Sequence, residues 1–200
     1  MKLPVLTSVI IFIILLFFLI KKSARDDQKI MDDFLEKEKK SNNVRKKPLD
    51  DLDYIKIPEE FFNMKQDDND PVCHEAIRML DHLKDKEIVN LTGISNTDLK
   101  LTYGTANLNH LAACDSNFTL LARALQSYSE YLVEQNEKDS AIKVLEFAVE
   151  KGSDISGSYK LLASLYKEKG ELNKKDGLKE KAASLHSAMS DSIVNAIDKI

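Results

Sequence analysis

Leu3 to Ile20 is an apolar run without a single charged residue, closed by Lys21 and Lys22. In a lipid interior such a segment can satisfy its backbone polar groups only as a helix. At about 1.5 Å per residue it reaches roughly 27 Å, near the hydrocarbon thickness of a bilayer, so residues 1–22 are expected to form a transmembrane anchor. The run ends in Phe17-Phe18-Leu19-Ile20, with no small-residue exit for a cleaved signal and no cysteine near residue 20 to carry a lipid. Lys21, Lys22, Arg25 and Lys29 follow the run and only Lys2 precedes it, which puts the rest of the chain on the cytoplasmic side of a cell membrane as a single-pass protein.

Charge divides the remainder. Residues 1–47 hold eleven Lys and Arg against six Asp and Glu, a balance of +5, leaving −9 for residues 48–200 of a chain whose net charge is −4. Residues 23–60 read as a charged tether and extended arm: helical near Met31, Phe34 and Leu35, loosened at Ser41-Asn42-Asn43, then extended through Leu52 to Ile57 to pack on a domain. Lys21, Lys22 and Arg25 are the lipid-proximal basic residues. The clusters Lys37, Lys39, Lys40 and Arg45, Lys46, Lys47 could add attraction of about 1 kcal/mol per residue at an anionic surface, although interspersed acids dilute it and favour a solvated linker. The acidic folded part excludes a phosphate backbone as its natural partner. Cys73 and Cys114, placed in a reducing compartment, read as small buried apolar groups rather than a disulfide.

From Pro71 onward the periodicity is helical, which makes the fold class all-α. Val72, Ala76, Leu80 and Leu83 form one stripe, with His74 and His82 off it. Ser95-Asn96-Thr97-Asp98 has the form of a capping box, followed by a short helix ending at Gly104. Leu108, Leu111 and Ala112 suggest another short turn, so residues 71–116 read as an irregular helical cap. After Asp115 the stripes are clear: Leu121, Leu125, Tyr128 and Leu132, then Ala141, Val144, Leu145 and Ala148; next Tyr159, Leu162, Ala163 and Tyr166, then Leu178, Ala182 and Leu185. Met189, Ile193, Ala196, Ile197 and Ile200 supply a C-terminal capping helix.

The two hairpins coincide at an offset of 34 residues: Leu125 falls on Tyr159, Tyr128 on Leu162, Ser129 on Ala163, Leu132 on Tyr166 and Ala148 on Ala182. With Leu162-Ala163-Ser164-Leu165-Tyr166 and Gly170 as its best match, the segment resembles a pair of tetratricopeptide repeats, about 122–155 and 156–189 within 117–200. Lys175, Lys179 and Ser153 depart from the family pattern and imply a looser last helix. More distantly, Ser95 to Lys100 and Gly152 to Gly157 resemble segments of bacterial membrane-tethered tetratricopeptide proteins, which implies a location and a fold but no activity. The family resemblance also implies a groove on the inner face of the first helices, here Arg123, Gln126, Glu130 and Glu134 in one copy and Lys160, Ser164, Lys167 and Glu168 in the other.

Chemistry is sparse. None of the four histidines is expected to pair with a cysteine or carboxylate at metal-ligand spacing on one helical face, and no phosphate loop, nucleophile elbow or dinucleotide fingerprint occurs. The expectation is a protein that is not an enzyme, with no catalytic residues, no cofactor, no metal and no small-molecule substrate: an adaptor or scaffold binding a peptide or helix of another protein. The alternatives are a structural subunit assembling through anchor and tether, and an unrecognised enzyme.

Overall fold

The computed structural model describes residues 3–64, 67 and 69–200, except that the side chains of Leu3 to Leu6, Val9 and Ile10 lie outside the described residues. Among the described residues there are eight α-helices, two short 3-10 turns and no strand, so the chain is all-helical. It divides into two compact units, Met1–Lys47 with Ser95–Leu108, and Pro48–Ile94 with Asn109–Ile200.

The first unit is built on α1 (Leu3–Asn42) and α3 (Asn96–Tyr103). Helix α1 ends at Asn42, within the Ser41-Asn42-Asn43 segment where loosening is expected. The Ser41 hydroxyl, fully buried, donates to the Glu38 carbonyl at 2.8 Å, and the Asn43 side chain donates to the Lys39 carbonyl at 3.0 Å, which holds the last turn closed. Glu38 receives Lys100 Nζ at 2.5 Å and Thr97 Oγ1 at 2.6 Å, and these hydrogen bonds, Lys100 foremost, hold its carboxyl below the usual carboxylate range. Lys37 pairs with Asp98 at 2.7 Å, Lys40 with Glu36 at 2.7 Å, and Lys47 Nζ donates to the Leu101 carbonyl, so part of the expected lipid-facing basic set is engaged within the protein. Ser95 caps α3, which starts at Asn96: its Oγ accepts from Asp98 N at 3.2 Å, while the Asp98 carboxylate accepts from the Ser95 hydroxyl at 2.6 Å rather than from the Ser95 backbone N–H a full capping box would use. Gly104 ends it at φ 89°, where a Cβ would stand 2.2 Å from the Arg45 carbonyl oxygen; only glycine lets the 44–47 strand of chain pass so close.

Ile11 to Ile20 are all large exposed side chains, 41–68% accessible, on every face of α1. No helix is long and apolar enough to cross a membrane among the described residues, and six side chains of the apolar run fall outside them. Farther along α1, Ile30, Met31, Phe34 and Leu35 are exposed as well.

The second unit contains α2 (Pro71–Leu83), most of α4 (Leu108–Glu134), α5 (Lys138–Glu150), α6 (Ser156–Lys169), α7 (Leu172–Ala183) and α8 (Ser190–Asp198). The arm packs: Leu52 and Ile55 are buried, Ile55 N donates to the Ile88 carbonyl at 2.8 Å, and the 3-10 turn Glu59–Asn63 lays Phe61 edge-on against Phe147 at 5.4 Å. Asp70 caps α2 by accepting from Val72 N and Cys73 N. The buried stripe of α2 is Cys73, Ala76, Leu80 and Leu83; Val72, placed on that stripe from the sequence, is 51% exposed instead.

Helix α4 starts eight residues earlier than the pattern suggests. Asp115 and Asn117 brace the preceding loop: Asp115 Oδ1 accepts from Leu91 N at 3.0 Å and Asn117 Nδ2 donates to the Glu87 carbonyl at 2.9 Å. Beyond them the 34-residue offset is physical. Asn136 at φ 63° and Gly170 at φ 74° occupy the same left-handed turn, and Glu137 N and Glu171 N close it onto the carbonyls of Leu132 and Tyr166, each at 2.8 Å. The period continues once more, because α8 begins 34 residues after α6 and its buried Ile193 and Ile197 stand where Tyr159 and Ala163 stand, and where Leu125 and Ser129 stand before them. Helix α7 is the weak member: it buries only Leu178 and Ala182, against six residues of α5, and Lys179 turns out to meet Asp198 at 2.5 Å.

Candidate functional site

An apolar concavity of the second unit lies between α2, α4 and the entry to α6. Its volume is about 560 Å³. Val72, Ala76 and Met79 line it from α2 and Ile155 from the turn before α6, while Arg123 and Gln126 rise from α4 at its edge. The geometry follows from helix spacing: Val72, Ala76 and Met79 fall at i, i+4 and i+7, and Arg123 and Gln126 at i and i+3. Helix α2, read from the sequence as a cap, therefore supplies one wall.

Among the polar groups around the cavity, Glu75 and Gln126 are tied down. Glu75 receives Arg78 through two hydrogen bonds of 2.8 and 2.9 Å, which lower its carboxyl. Gln126 donates to Glu130 Oε1 at 2.6 Å and accepts from Ser158 Oγ at 2.5 Å, bridging α4 to α6. Arg123 is exposed and makes no ion pair among the described residues. An apolar trough with a guanidinium at its lip suits a partner that offers apolar side chains beside a carboxylate.

Of the residues placed on the groove by resemblance, only Arg123 and Gln126 line this cavity, with Glu130 joined through Gln126. Glu134 is exposed at the end of α4, and Lys160 and Ser164 are exposed on α6. Lys167 Nζ is taken by the Ile200 carbonyl oxygen, and Glu168 pairs with Lys138 at the start of α5. Glu168 departs from the expected face because one residue turns the helix by about 100°, which carries it from the α8 side to the α5 side. Val72, Met79 and Ile155 carried no sequence signal of this kind beyond being apolar.

A second cluster corrects the expectation that no histidine meets a cysteine or carboxylate. His110 and Cys114 lie four residues apart on α4, with Cys114 Sγ 3.7 Å from His110 Nε2, and Glu87 Oε2 stands 3.1 Å from the same nitrogen. The ligand atoms of the three fall within 4.8 Å of one another. Burial, together with the Glu87 charge, pushes the Cys114 thiol up. The i, i+4 spacing was legible; it was obscured by reading residues 108–112 as a separate turn.

Asn90 and Asn117 both spend their amide groups on backbone carbonyls, Asn90 on Lys151 and Gly152 and Asn117 on Glu87. Comparison with protein-family models, curated proteins and solved structures gave no match to this chain.

Proposed function

We propose that the chain is a membrane-anchored, cytoplasm-facing adaptor of tetratricopeptide-like build. In this reading the α2–α4–α6 cavity holds a short apolar stretch of another protein, a peptide or helix carrying an acidic residue, and Arg123 takes the carboxylate. The observation that carries the proposal is that cavity, apolar inside and edged by an arginine with no ion pair among the described residues. The 34-residue recurrence of turn geometry and buried positions supports the family reading. The anchor is supported by the exposed apolar surface of Ile11 to Ile20, an extent that a water-facing helix does not keep without a partner. Confinement to a membrane raises the effective concentration of a partner there, so a modest groove suffices.

The exposed stripe of Ile30, Met31, Phe34 and Leu35 on α1 favours a second reading, a subunit that assembles through that helix. Photocrosslinking in the full chain separates the two. A reactive residue at Met79 should yield a discrete adduct that Arg123→Glu removes, whereas one at exposed Asp176 should yield none. Adducts confined to position 34 support the subunit, and equal labelling at 79 and 176 contradicts the groove.

A further inference from the structure

The geometry points to a binding site for a single divalent ion of the zinc class, held by Glu87, His110 and Cys114. The first support is convergence. His110 Nε2 stands 3.1 Å from a Glu87 oxygen and 3.7 Å from Cys114 Sγ. Tetrahedral coordination with Zn–N near 2.0 Å and Zn–S near 2.3 Å puts ligand atoms roughly 3.3–3.6 Å apart, so an ion fits among the three after small rotations of exposed side chains. Helix spacing brings His110 and Cys114 together, and Glu87 reaches the same imidazole nitrogen from a separate element.

The second support is preorganisation. Glu87 sits in the loop after α2, and that loop is fixed to α4 by Asn117 Nδ2 on the Glu87 carbonyl at 2.9 Å, by Val89 N on the Cys114 carbonyl at 3.4 Å and by Leu91 N on Asp115 Oδ1 at 3.0 Å. The carboxylate is thus delivered over the helix without the ion. Cys114 is buried and forms the floor, while Glu87 and His110 are exposed and form the open rim, which leaves a fourth position for water.

Charge and protons balance. Binding exchanges the thiol proton, released to solvent, for a sulfur–metal bond; thiolate and carboxylate then cancel the two positive charges, and His110 binds neutral through Nε2 with its proton on Nδ1. Borderline-soft Zn2+ suits one sulfur, one nitrogen and one oxygen better than the hard, oxygen-seeking Mg2+ or Ca2+. The consequence is a clasp between the loop at Glu87 and α4, formed by residues other than those that line the α2–α4–α6 groove and independent of the adaptor reading.

The test uses Co2+ as a spectroscopic probe and Zn2+ as competitor, on the full chain purified in mild detergent under reducing conditions. One equivalent of Co2+ should give a near-ultraviolet thiolate-to-cobalt band with visible bands of tetrahedral intensity, all displaced by Zn2+. Cys114→Ser should abolish the near-ultraviolet band and Cys73→Ser should keep it. Exposed His110→Gln and Glu87→Gln, which leave the core intact, should each weaken Zn2+ by about tenfold or more. No thiolate band, a band that survives Cys114→Ser, or Zn2+ affinity unchanged in both exposed variants overturns the proposal.

Discussion

Tyr159 shows how a single atom can be misfit inside a well-packed core. Its ring is fully buried on the inner side of α6, yet its hydroxyl has no hydrogen-bond partner among the described residues. A buried hydroxyl without a partner costs free energy, so Tyr159→Phe is expected to stabilise the protein by about 1 kcal/mol, read as a rise in Tm of roughly 2–4 °C. Burial also pushes the hydroxyl up to about 12, with Asp154 adding to the shift. The unfolded tyrosine releases its proton near 10, so above that pH the unfolded state gains and stability falls between about pH 10 and 12. The Phe variant should lose stability less steeply over that window; a lower Tm at neutral pH would mean that the hydroxyl is satisfied after all. At this scale the sequence was unevenly legible. Arg123 and Gln126 could be placed by register on α4, and His110 with Cys114 by their i, i+4 spacing. Met79, Ile155 and Glu87 could not, because each reaches its site from a separate element through tertiary packing, which leaves no local period.

The elements themselves were marked by their punctuation. Gly170 stops α6 in the left-handed region, and a Cβ there would meet no atom within 4 Å, so the only cost of a side chain is its backbone conformation. Gly170→Ala should therefore lower stability by about 1 kcal/mol, whereas Gly170→Asn should lower it less, because Asn136 already performs that turn in the preceding hairpin. Thermal melts of the two variants decide it; equal losses would show that something other than φ sets the cost. Stripes and stops together made the hairpins from Leu121 onward readable, and even the weakness of α7 followed from Lys175 and Lys179 in apolar positions. The boundaries that misled were those where polar residues have distant partners. The start of α4 is the case in point: the clear stripe begins after Asp115, yet the helix runs from Leu108, and Asp115 and Asn117 spend their side chains on the loop before it.

At the scale of the whole molecule, two units carry different chemistry. One presents a helix with an exposed apolar surface over Ile11 to Ile20 and a salt-bridged end at Glu38 and Lys100; the other is a tandem of helical hairpins with an apolar cavity and a net negative charge in its sequence. The adaptor proposal depends on the first unit holding the second at a lipid surface. Resistance to extraction tests it most directly. Membranes containing the full chain, washed at high salt and then with alkaline carbonate, should retain it in the pellet, and a chain lacking residues 3–20 should move to the supernatant while keeping its helical circular dichroism. Release of the full chain by the carbonate wash, or retention of the shortened one, would contradict the account.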